Sequence, residues 1–239
     1  MEYKEFKNDL SEKSNKIGLN MTEDQIKNLY TYMNLLLEWN NHINLTAITQ
    51  ENEIILKHFI DSLTIHQYIG DKQNVLDIGT GAGFPGVPLK IIKEETNFIL
   101  VDSLNKRIHF LEEVKNKLGL KKIELIHSRA EDLAKDNKYR ENVDIAVSRA
   151  VANLRVLVEY MLPFVKVGGK CICMKGPNLE EEINESKNAI KILGGKIEKV
   201  ETIFLPESDI ERNIVIIKKI EQTSNKYPRK AGTPIKQPL

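Results

Sequence analysis

Short apolar runs alternate with segments of helical periodicity from about residue 71 to residue 219, and this alternation constrains the fold more than any other feature. A repeated strand–helix–strand order is typical of a doubly wound parallel sheet with helices on both faces. The predicted strands are Val75–Ile78, Phe98–Val101, Ile123–Ile126, Val143–Val147, Lys170–Met174, Lys196–Phe204 and Asn213–Lys219. The predicted helices between them are Pro88–Glu95, Asn105–Leu118, Leu154–Val165 and Leu179–Leu193.

The last two predicted strands have no helix between them. They are joined by residues 205–209, a connection that is too short for a parallel crossover. We therefore predict an α/β protein whose sheet is mostly parallel and whose last strand is antiparallel.

Residues 1–70 show helical rather than strand periodicity. Thr22 and Gln25 have the spacing of a capping box, and apolar residues follow at helical spacing from Ile26 to Leu37. A second helix is predicted over 51–68. The chain is thereby divided into an N-terminal helical extension (1–70), a sheet domain (71–222) and a C-terminal tail (223–239).

A length of 239 residues suits one large domain with a small appendage. No uncharged apolar run approaches the ~18–20 residues that span a bilayer, and the first residues lack a secretory signal. Cys171 and Cys173 lie two positions apart on one predicted strand, which indicates a reducing compartment rather than a disulfide framework or a zinc site. These features predict a cytoplasmic protein without a membrane partner, and we expect a monomer.

Positive charge is concentrated at the C-terminal end. Residues 225–239 contain four cations and no acid, whereas the rest of the chain is slightly acidic. We expect all four cations to project from the chain without competing acids: Lys226, Arg229, Lys230 and Lys236. Such a tail either contacts an anionic partner such as RNA or is a solvated terminus, and Tyr227 and the prolines of the tail offer a third possibility, packing against the sheet domain.

A glycine-rich loop follows the first predicted strand and leads into a helix, with Asp77, Gly79, Gly81 and Gly83 at alternate positions. Glycines let the backbone turn sharply and let a ligand approach closely. The Asp77 carboxylate would repel a pyrophosphate and attract an ammonium group, which favours S-adenosylmethionine over a dinucleotide. The alternative is a tight turn without a ligand.

Two further acidic positions fit a nucleoside. Asp102 ends the second predicted strand and can accept hydrogen bonds from both ribose hydroxyls. Glu131 and Asp132 follow the third strand, where an acidic side chain or a backbone amide can read an adenine edge. The alternative for these two acids is a role in the first turn of the next helix.

Taken together, these residues resemble a class I S-adenosylmethionine-dependent methyltransferase. The resemblance narrows to the RsmG family, also called glucose-inhibited division protein B, and extends from about residue 20 to the C-terminus. The segments that carry it are Leu56–Leu63, Gly79–Pro85, Val101–Arg107, Ser148–Ala152 and Tyr227–Pro234.

This resemblance implies a Rossmann-like sheet with an N-terminal helical extension, and methylation of N7 of one guanine in small-subunit (16S) ribosomal RNA. The partner would be that RNA or its precursor particle. The cofactor contacts of the family fall on Gly79, Phe84, Ala130, Glu131 and Arg149 of this sequence.

The residues themselves are compatible with that chemistry. The loop after the fourth strand, residues 147–153, lacks the Asn/Asp-Pro-Pro-aromatic motif of exocyclic-amine methylation. Methylation of a pyrimidine C5 needs a cysteine nucleophile, but Cys171 and Cys173 lie within a predicted strand. Guanine N7 offers a lone pair and carries no proton, so no catalytic base is predicted and positioning should suffice.

Each of the other candidate residues also has a structural alternative. Arg149 could brace the cofactor, stack on a base or contact phosphate, or it could form a salt bridge with Asp102 or Glu131. His58, Asp61 and Ser62 share one helical face and could line the pocket mouth or join the two domains. Trp39 is expected to pack on the sheet domain, and Lys175 could contact a substrate phosphate.

Three rival functions remain open on the sequence. They are a methyltransferase acting on a small molecule or another RNA, an NAD-dependent reductase, and an RNA-binding module with a vestigial cofactor fold. The basic tail and the helical extension argue against a small substrate, and Asp77 argues against NAD.

Overall fold

The computed structural model describes residues 1–177 and 179–239. Its centre is a seven-stranded sheet in the order β3-β2-β1-β4-β5-β7-β6. The strands are β1 (Asn74–Ile78), β2 (Asn97–Asp102), β3 (Ile123–His127), β4 (Val143–Arg149), β5 (Val165–Lys175), β6 (Gly195–Phe204) and β7 (Glu211–Lys219). All seven predicted strands are present, and β5 begins five residues earlier than expected.

Strand directions agree with the prediction. The strands β1 to β5 pair in parallel, and β7 pairs antiparallel with both β5 and β6. The predicted α/β class with a mostly parallel sheet is therefore confirmed. Chain order reverses between β1 and β4, and ligands of such sheets bind outside the carboxyl ends of the strands at this switch point.

Helices cover both faces of the sheet because successive residues of a strand point to opposite sides. Val75 packs in one apolar core with the N-terminal helices, whereas Leu76 packs in a second core on the other face. The helices of this part of the chain are α5 (Gly86–Ile92), α6 (Asn105–Lys117), α7 (Ala130–Leu133), α8 (Leu154–Met161), α9 (Leu179–Ile192) and α10 (Thr233–Lys236).

The N-terminal helical region packs on the first of these cores. It comprises α1 (Tyr3–Lys16), α2 (Glu23–Asn40), α3 (Glu51–Ile54), a π-helical segment (Ile55–Ile60), α4 (Asp61–Leu63) and a 3₁₀ turn (His66–Tyr68). The predicted capping box at Thr22 and Gln25 is present at the start of α2. Trp39 packs on Phe110 of α6 with ring centroids 5.7 Å apart, which confirms its predicted packing role.

The single helix predicted over 51–68 is wrong in detail. The chain there is interrupted by the π-helical segment, within which Arg149 from β4 donates to the carbonyl oxygens of Lys57 (3.1 Å) and His58 (3.5 Å). An α-helical periodicity cannot reveal such a segment, because the side chain that engages its carbonyls comes from a distant strand. π-Helical turns often occur at functional sites.

Residues 223–239 fold back onto the sheet domain. Pro228 and Pro234 are buried, and Arg140 donates to the carbonyl oxygens of Thr223 and Tyr227, both at 2.8 Å. The prediction that all four tail cations project without competing acids is wrong for Arg229, whose guanidinium pairs with Glu159. No helix in the described part of the chain is long and apolar enough to cross a membrane.

Candidate active site

The glycine loop connects β1 to α5 at the switch point. Gly79, Gly81 and Gly83 have φ values of +66°, +62° and +101°, a region that side chains with a Cβ rarely adopt. The N–H groups of Gly79 and Thr80 both donate to the carbonyl oxygen of Val101, at 2.9 and 3.0 Å. The loop is thereby fixed to the end of β2.

Asp77 lies fully buried beneath this loop. Its Oδ2 accepts hydrogen bonds from the Thr80 hydroxyl (2.7 Å) and the Gly86 N–H (2.9 Å), whereas its Oδ1 is buried without a partner among the described residues. Burial raises the pKa of Asp77 to about 7 against the hydrogen bonds from Thr80 and Gly86, which lower it. Asp77 thus braces the loop; its attraction for a cofactor ammonium stays a prediction.

Replacing Asp77 by Asn should change how stability depends on pH. Because the pKa of folded Asp77 lies above its unfolded value of 3.8, the stability that this group contributes is present below pH 3.8 and lost as the pH rises through about 7. Asn cannot ionise and keeps an oxygen acceptor for Gly86. Between pH 4 and pH 8, we expect the wild type to lose roughly 2–4 kcal/mol of unfolding free energy relative to Asp77→Asn.

Denaturant unfolding of both proteins across this pH range measures the difference. The difference is used, rather than the wild-type curve alone, because other groups titrate equally in both proteins. A difference that does not change with pH would mean that buried Asp77 is ionised throughout.

Gly81 and Asp102 meet directly. The Asp102 Oδ2 accepts from the Gly81 N–H at 2.9 Å and from Arg107 at 3.2 Å, and its Oδ1 accepts from the Leu104 N–H at 2.9 Å. A Cβ added to Gly81 would point into open space, since the nearest atom, the Gly79 carbonyl oxygen, is 4.0 Å away. The loop therefore leaves free volume beside a carboxylate.

A cavity of about 260 Å³ opens at this point. It brings together four of the predicted site residues from the ends of three strands. Its lining includes Gly79, Asp102, Ala130 and Glu131, together with Val101, Tyr160, Gly232 and Ile235. We call it the nucleoside cavity, because two carboxylates and apolar side chains suit a ribose and a base.

Arg149 is the last residue of β4, and it does not line the nucleoside cavity. Its guanidinium pairs with Asp61 at 3.0 Å, donates towards Nδ1 of His58 at 3.2 Å and lies over the Phe84 ring at 5.0 Å. The suggested salt-bridge partners Asp102 and Glu131 are wrong: the partner is Asp61, which also pairs with Arg212 at 3.1 Å.

His58 is fixed as a neutral side chain. Its ring stacks on Phe84 with centroids 4.4 Å apart, and its Nε2 lies 2.8 Å from the Thr46 hydroxyl. Burial and the positive charge of Arg149 lower the pKa of His58 to about 3. Ser62, the third residue of the predicted face, is buried and bonds to the His58 carbonyl oxygen instead.

A second cavity, of about 470 Å³, adjoins this cluster, and we call it the substrate cavity. It is lined by Lys57, His58, Asp61, Arg149, Ala150, Lys175, Glu182 and Arg212, among others. Residues 149–150 line this cavity, whereas residues 151–152 line the nucleoside cavity. Lys175 bonds to the Ala152 carbonyl oxygen (2.8 Å) and to Glu182 (2.7 Å), which gives it a bracing role; its contact with a substrate phosphate stays a prediction.

Tyr32 of α2 is a site residue that the sequence analysis missed. It is fully buried, donates a hydrogen bond to the Ala82 carbonyl oxygen of the glycine loop and packs against Phe84. A Cβ on Gly83 would lie 2.7 Å from its hydroxyl. The helical extension therefore supports the glycine loop. The predicted periodicity from Ile26 to Leu37 did not include Tyr32, because its contacts lie 50 or more positions along the chain.

Comparison with known proteins decides the family. The profile of the GidB family, rRNA small subunit methyltransferase G, matches residues 25–215. This chain belongs to that family. Family membership confirms the resemblance and makes the protein an S-adenosylmethionine-dependent methyltransferase.

Relatives match over nearly the whole chain. Ribosomal RNA small subunit methyltransferase G of Alkaliphilus metalliredigens (strain QYMF) is 52% identical over 225 residues, which is 93% of this chain and 94% of the relative. The protein of the same name from Acetivibrio thermocellus is 54% identical over 231 residues, covering 96% and 95%. M. jannaschii TYW2 in complex with AdoMet shares the fold, with a TM-score of 0.54, 16% identity and coverage of 69% and 76%.

The hydrogen-bonding groups of the nucleoside cavity fit the cofactor of this family. The carboxylates of Asp102 and Glu131 suit hydroxyl and amino donors, and Gly81 leaves its Cβ side open. Gly79 has to lack a side chain, since a Cβ there would lie 2.6 Å from Val151. The predicted residues thus form two groups. Gly79, Asp102, Ala130 and Glu131 line the nucleoside cavity, Gly81 bonds to Asp102 of that lining, and Asp77 lies beneath the loop. Phe84 and Arg149 lie towards the substrate cavity.

Proposed function

We propose that this chain transfers a methyl group from S-adenosylmethionine to N7 of a guanine in small-subunit ribosomal RNA, in the cytoplasm. The observation that carries the proposal is the substrate cavity, where every acid that lines it is already paired with a cation. Asp61 pairs with Arg149 and Arg212, and Glu182 pairs with Lys175. Such a site suits an acceptor atom that carries no proton.

On the cofactor side, the residues of the nucleoside cavity would bind and orient S-adenosylmethionine. Asp102 would accept hydrogen bonds from the ribose, and Glu131 or the backbone at Ala130 would contact the adenine edge. When bound, S-adenosylmethionine supplies a methyl group on a positively charged sulfur. The loop at residues 149–152 separates the two cavities, so the methyl group has to reach the acceptor beside this loop.

On the substrate side, cations and a neutral imidazole replace a general base. His58 is a poor base because its pKa is about 3 and both ring nitrogens face other groups. Lys57, Arg149 and Arg212 line a cavity that suits an electron-rich purine edge and its phosphates. Proximity alone contributes ~7–11 kcal/mol when the reacting atoms are aligned.

The RNA partner is supported by the names of the relatives and by the remaining tail cations. Lys226, Lys230 and Lys236 are exposed. Phosphate contacts by these three lysines would give RNA binding a salt slope of roughly −2, at about −0.7 for each phosphate of a single strand. Replacing all three by Gln should flatten the slope and leave cofactor affinity unchanged.

The acceptor atom can be tested by removing it. Small-subunit ribosomal RNA is transcribed with guanine or with 7-deazaguanine, which has a carbon in place of N7, and each transcript is incubated with the protein and radiolabelled S-adenosylmethionine. We expect incorporation into the guanine transcript only, recovered as 7-methylguanosine. Where free RNA is not a substrate, the same pair of transcripts is assembled into particles first. Equal incorporation into both transcripts would overturn the N7 assignment.

The cysteines should be dispensable. Cys171 and Cys173 are fully buried in β5, and burial raises the pKa of the Cys173 thiol to about 12. Neither can supply the thiolate that pyrimidine C5 methylation requires. The double variant Cys171→Ala, Cys173→Ala is expected to retain methyl transfer within about threefold once corrected for the folded fraction. Loss of transfer in a folded double variant would point to covalent pyrimidine chemistry.

A further inference from the structure

The C-terminal residues form one wall of the nucleoside cavity. Gly232 and Ile235 line it together with Val101 and Asp102. We call residues 227–239 the C-terminal strap. The strap is therefore part of the cavity lining. Its backbone at Gly232 and the Ile235 side chain lie where the cofactor is proposed to bind.

Three sets of polar contacts hold the strap in place. The first is made by Arg229, whose Nη2 and Nε lie 2.7 and 3.0 Å from the two carboxylate oxygens of Glu159. The backbone N–H of Arg229 donates to the same carboxylate at 2.8 Å. The Glu159 side chain is buried, and paired charges in such surroundings hold a strict geometry. The second set is made by Arg155, which donates to the carbonyl oxygens of Pro238 (2.9 Å) and Leu239.

The third contact joins the strap to the lining of the nucleoside cavity. The Gly232 N–H donates to Oε1 of Glu131 at 3.0 Å. Glu131 Oε2 has no hydrogen-bond partner among the described residues. A carboxylate of the cavity lining therefore holds the strap.

Ile235 is an exposed apolar residue in this anchored segment. Its neighbour Pro234 is buried, yet 65% of Ile235 is exposed although it lies at the mouth of the cavity. Covering an exposed apolar side chain with a flat apolar surface is favourable, because apolar area is removed from water. An adenine face is such a surface, and further apolar side chains of the cavity, such as Val101 and Tyr160, would contact the rest of the base.

We propose that the strap is the closing wall of the adenine subsite. Ile235 covers the base, while the contact of Gly232 with Glu131 couples the position of the strap to the acid that reads the adenine edge. Binding of the adenosine moiety and ordering of the strap are therefore linked, so each stabilises the other. This inference rests on the proposed assignment of the nucleoside cavity to the adenosine half of the cofactor.

Calorimetric titration with S-adenosylhomocysteine tests the contact. Ile235→Ala is expected to weaken binding by about 3- to 10-fold and Ile235→Asp by more, because burial of the side chain is lost or replaced by a charge. The matched control is Lys236→Ala, the exposed neighbour, which should bind within about twofold of wild type. Both positions are exposed, so the variants should fold.

Limited trypsin digestion tests the coupling. Exposed Lys230 and Lys236 are cleavage sites within the strap. S-adenosylhomocysteine should slow cleavage there at least about fivefold in the wild type, and the protection should be lost in Ile235→Asp at the same ligand concentration. Wild-type affinity in both Ile235 variants, or strap cleavage that ligand does not slow, would overturn the proposal.

The outcomes separate this proposal from the proposed function. If wild-type protein binds S-adenosylhomocysteine, Gly81→Val abolishes binding and the Ile235 variants bind normally, only the strap proposal fails. If wild-type protein does not bind S-adenosylhomocysteine, both fail.

Discussion

Gly81→Val is expected to lower the affinity for S-adenosylmethionine by about 100-fold or more. The Gly81 N–H is bonded to Asp102, and its Cβ side faces open space with φ at +62°. A branched side chain would fill that space and strain the backbone whose N–H bonds to Asp102, the proposed ribose acceptor. Calorimetry with S-adenosylhomocysteine measures the loss.

The chain offers a matched control for the backbone strain. Gly119 follows α6 with φ at +61° and, like Gly81, has open space where a Cβ would be. Gly119→Val should therefore cost similar stability and leave the affinity unchanged. If a folded Gly81→Val protein binds S-adenosylhomocysteine as the wild type does, the glycine loop is not the cofactor site.

Arg149→Met is expected to lower methyl transfer by about 100-fold or more. The substitution removes the donors that bind Asp61 and the carbonyl oxygens of Lys57 and His58, and it removes the cation above Phe84. Among the described residues, Asp61 then keeps only Arg212 as a side-chain partner. Because Arg149 lines the substrate cavity and not the nucleoside cavity, the loss should appear mainly in kcat and in the KM for RNA.

Stability has to be separated from chemistry in this variant, since removing one partner of a buried ion pair typically costs ~3–5 kcal/mol. Lys219→Met is the control. Lys219 is fully buried, pairs with Glu141 at 3.1 Å and lies at the opposite end of the sheet. It should lose comparable stability and keep its transfer rate per folded molecule. Equal rates in folded Arg149→Met and wild type would remove Arg149 from the site.

Local signals were sufficient for much of the fold and the cofactor side. Apolar runs of strand length and the glycine spacing lie within short stretches of sequence, so β1, its loop and Asp102 could be assigned directly. Their position at one sheet edge then follows from the parallel topology. The alternation also placed Cys171 and Cys173 within a buried strand.

The remaining features depend on contacts between distant residues. Arg149 and Asp61 are 88 positions apart, and Arg229 and Glu159 are 70 apart. No local pattern pairs these charges, so the sequence analysis gave Arg149 the wrong partners and left Arg229 exposed. The π-helical segment and the position of Tyr32 beneath the glycine loop follow from the same long-range packing.

The proposed function is tested most directly by nucleoside mass spectrometry of small-subunit ribosomal RNA from cells with and without the gene for this chain. Loss of the gene should remove one 7-methylguanosine from that RNA. A wild-type copy and the Gly119→Val copy should restore it, whereas the Gly81→Val copy should not. An unchanged 7-methylguanosine content in cells without the gene would contradict the proposed reaction.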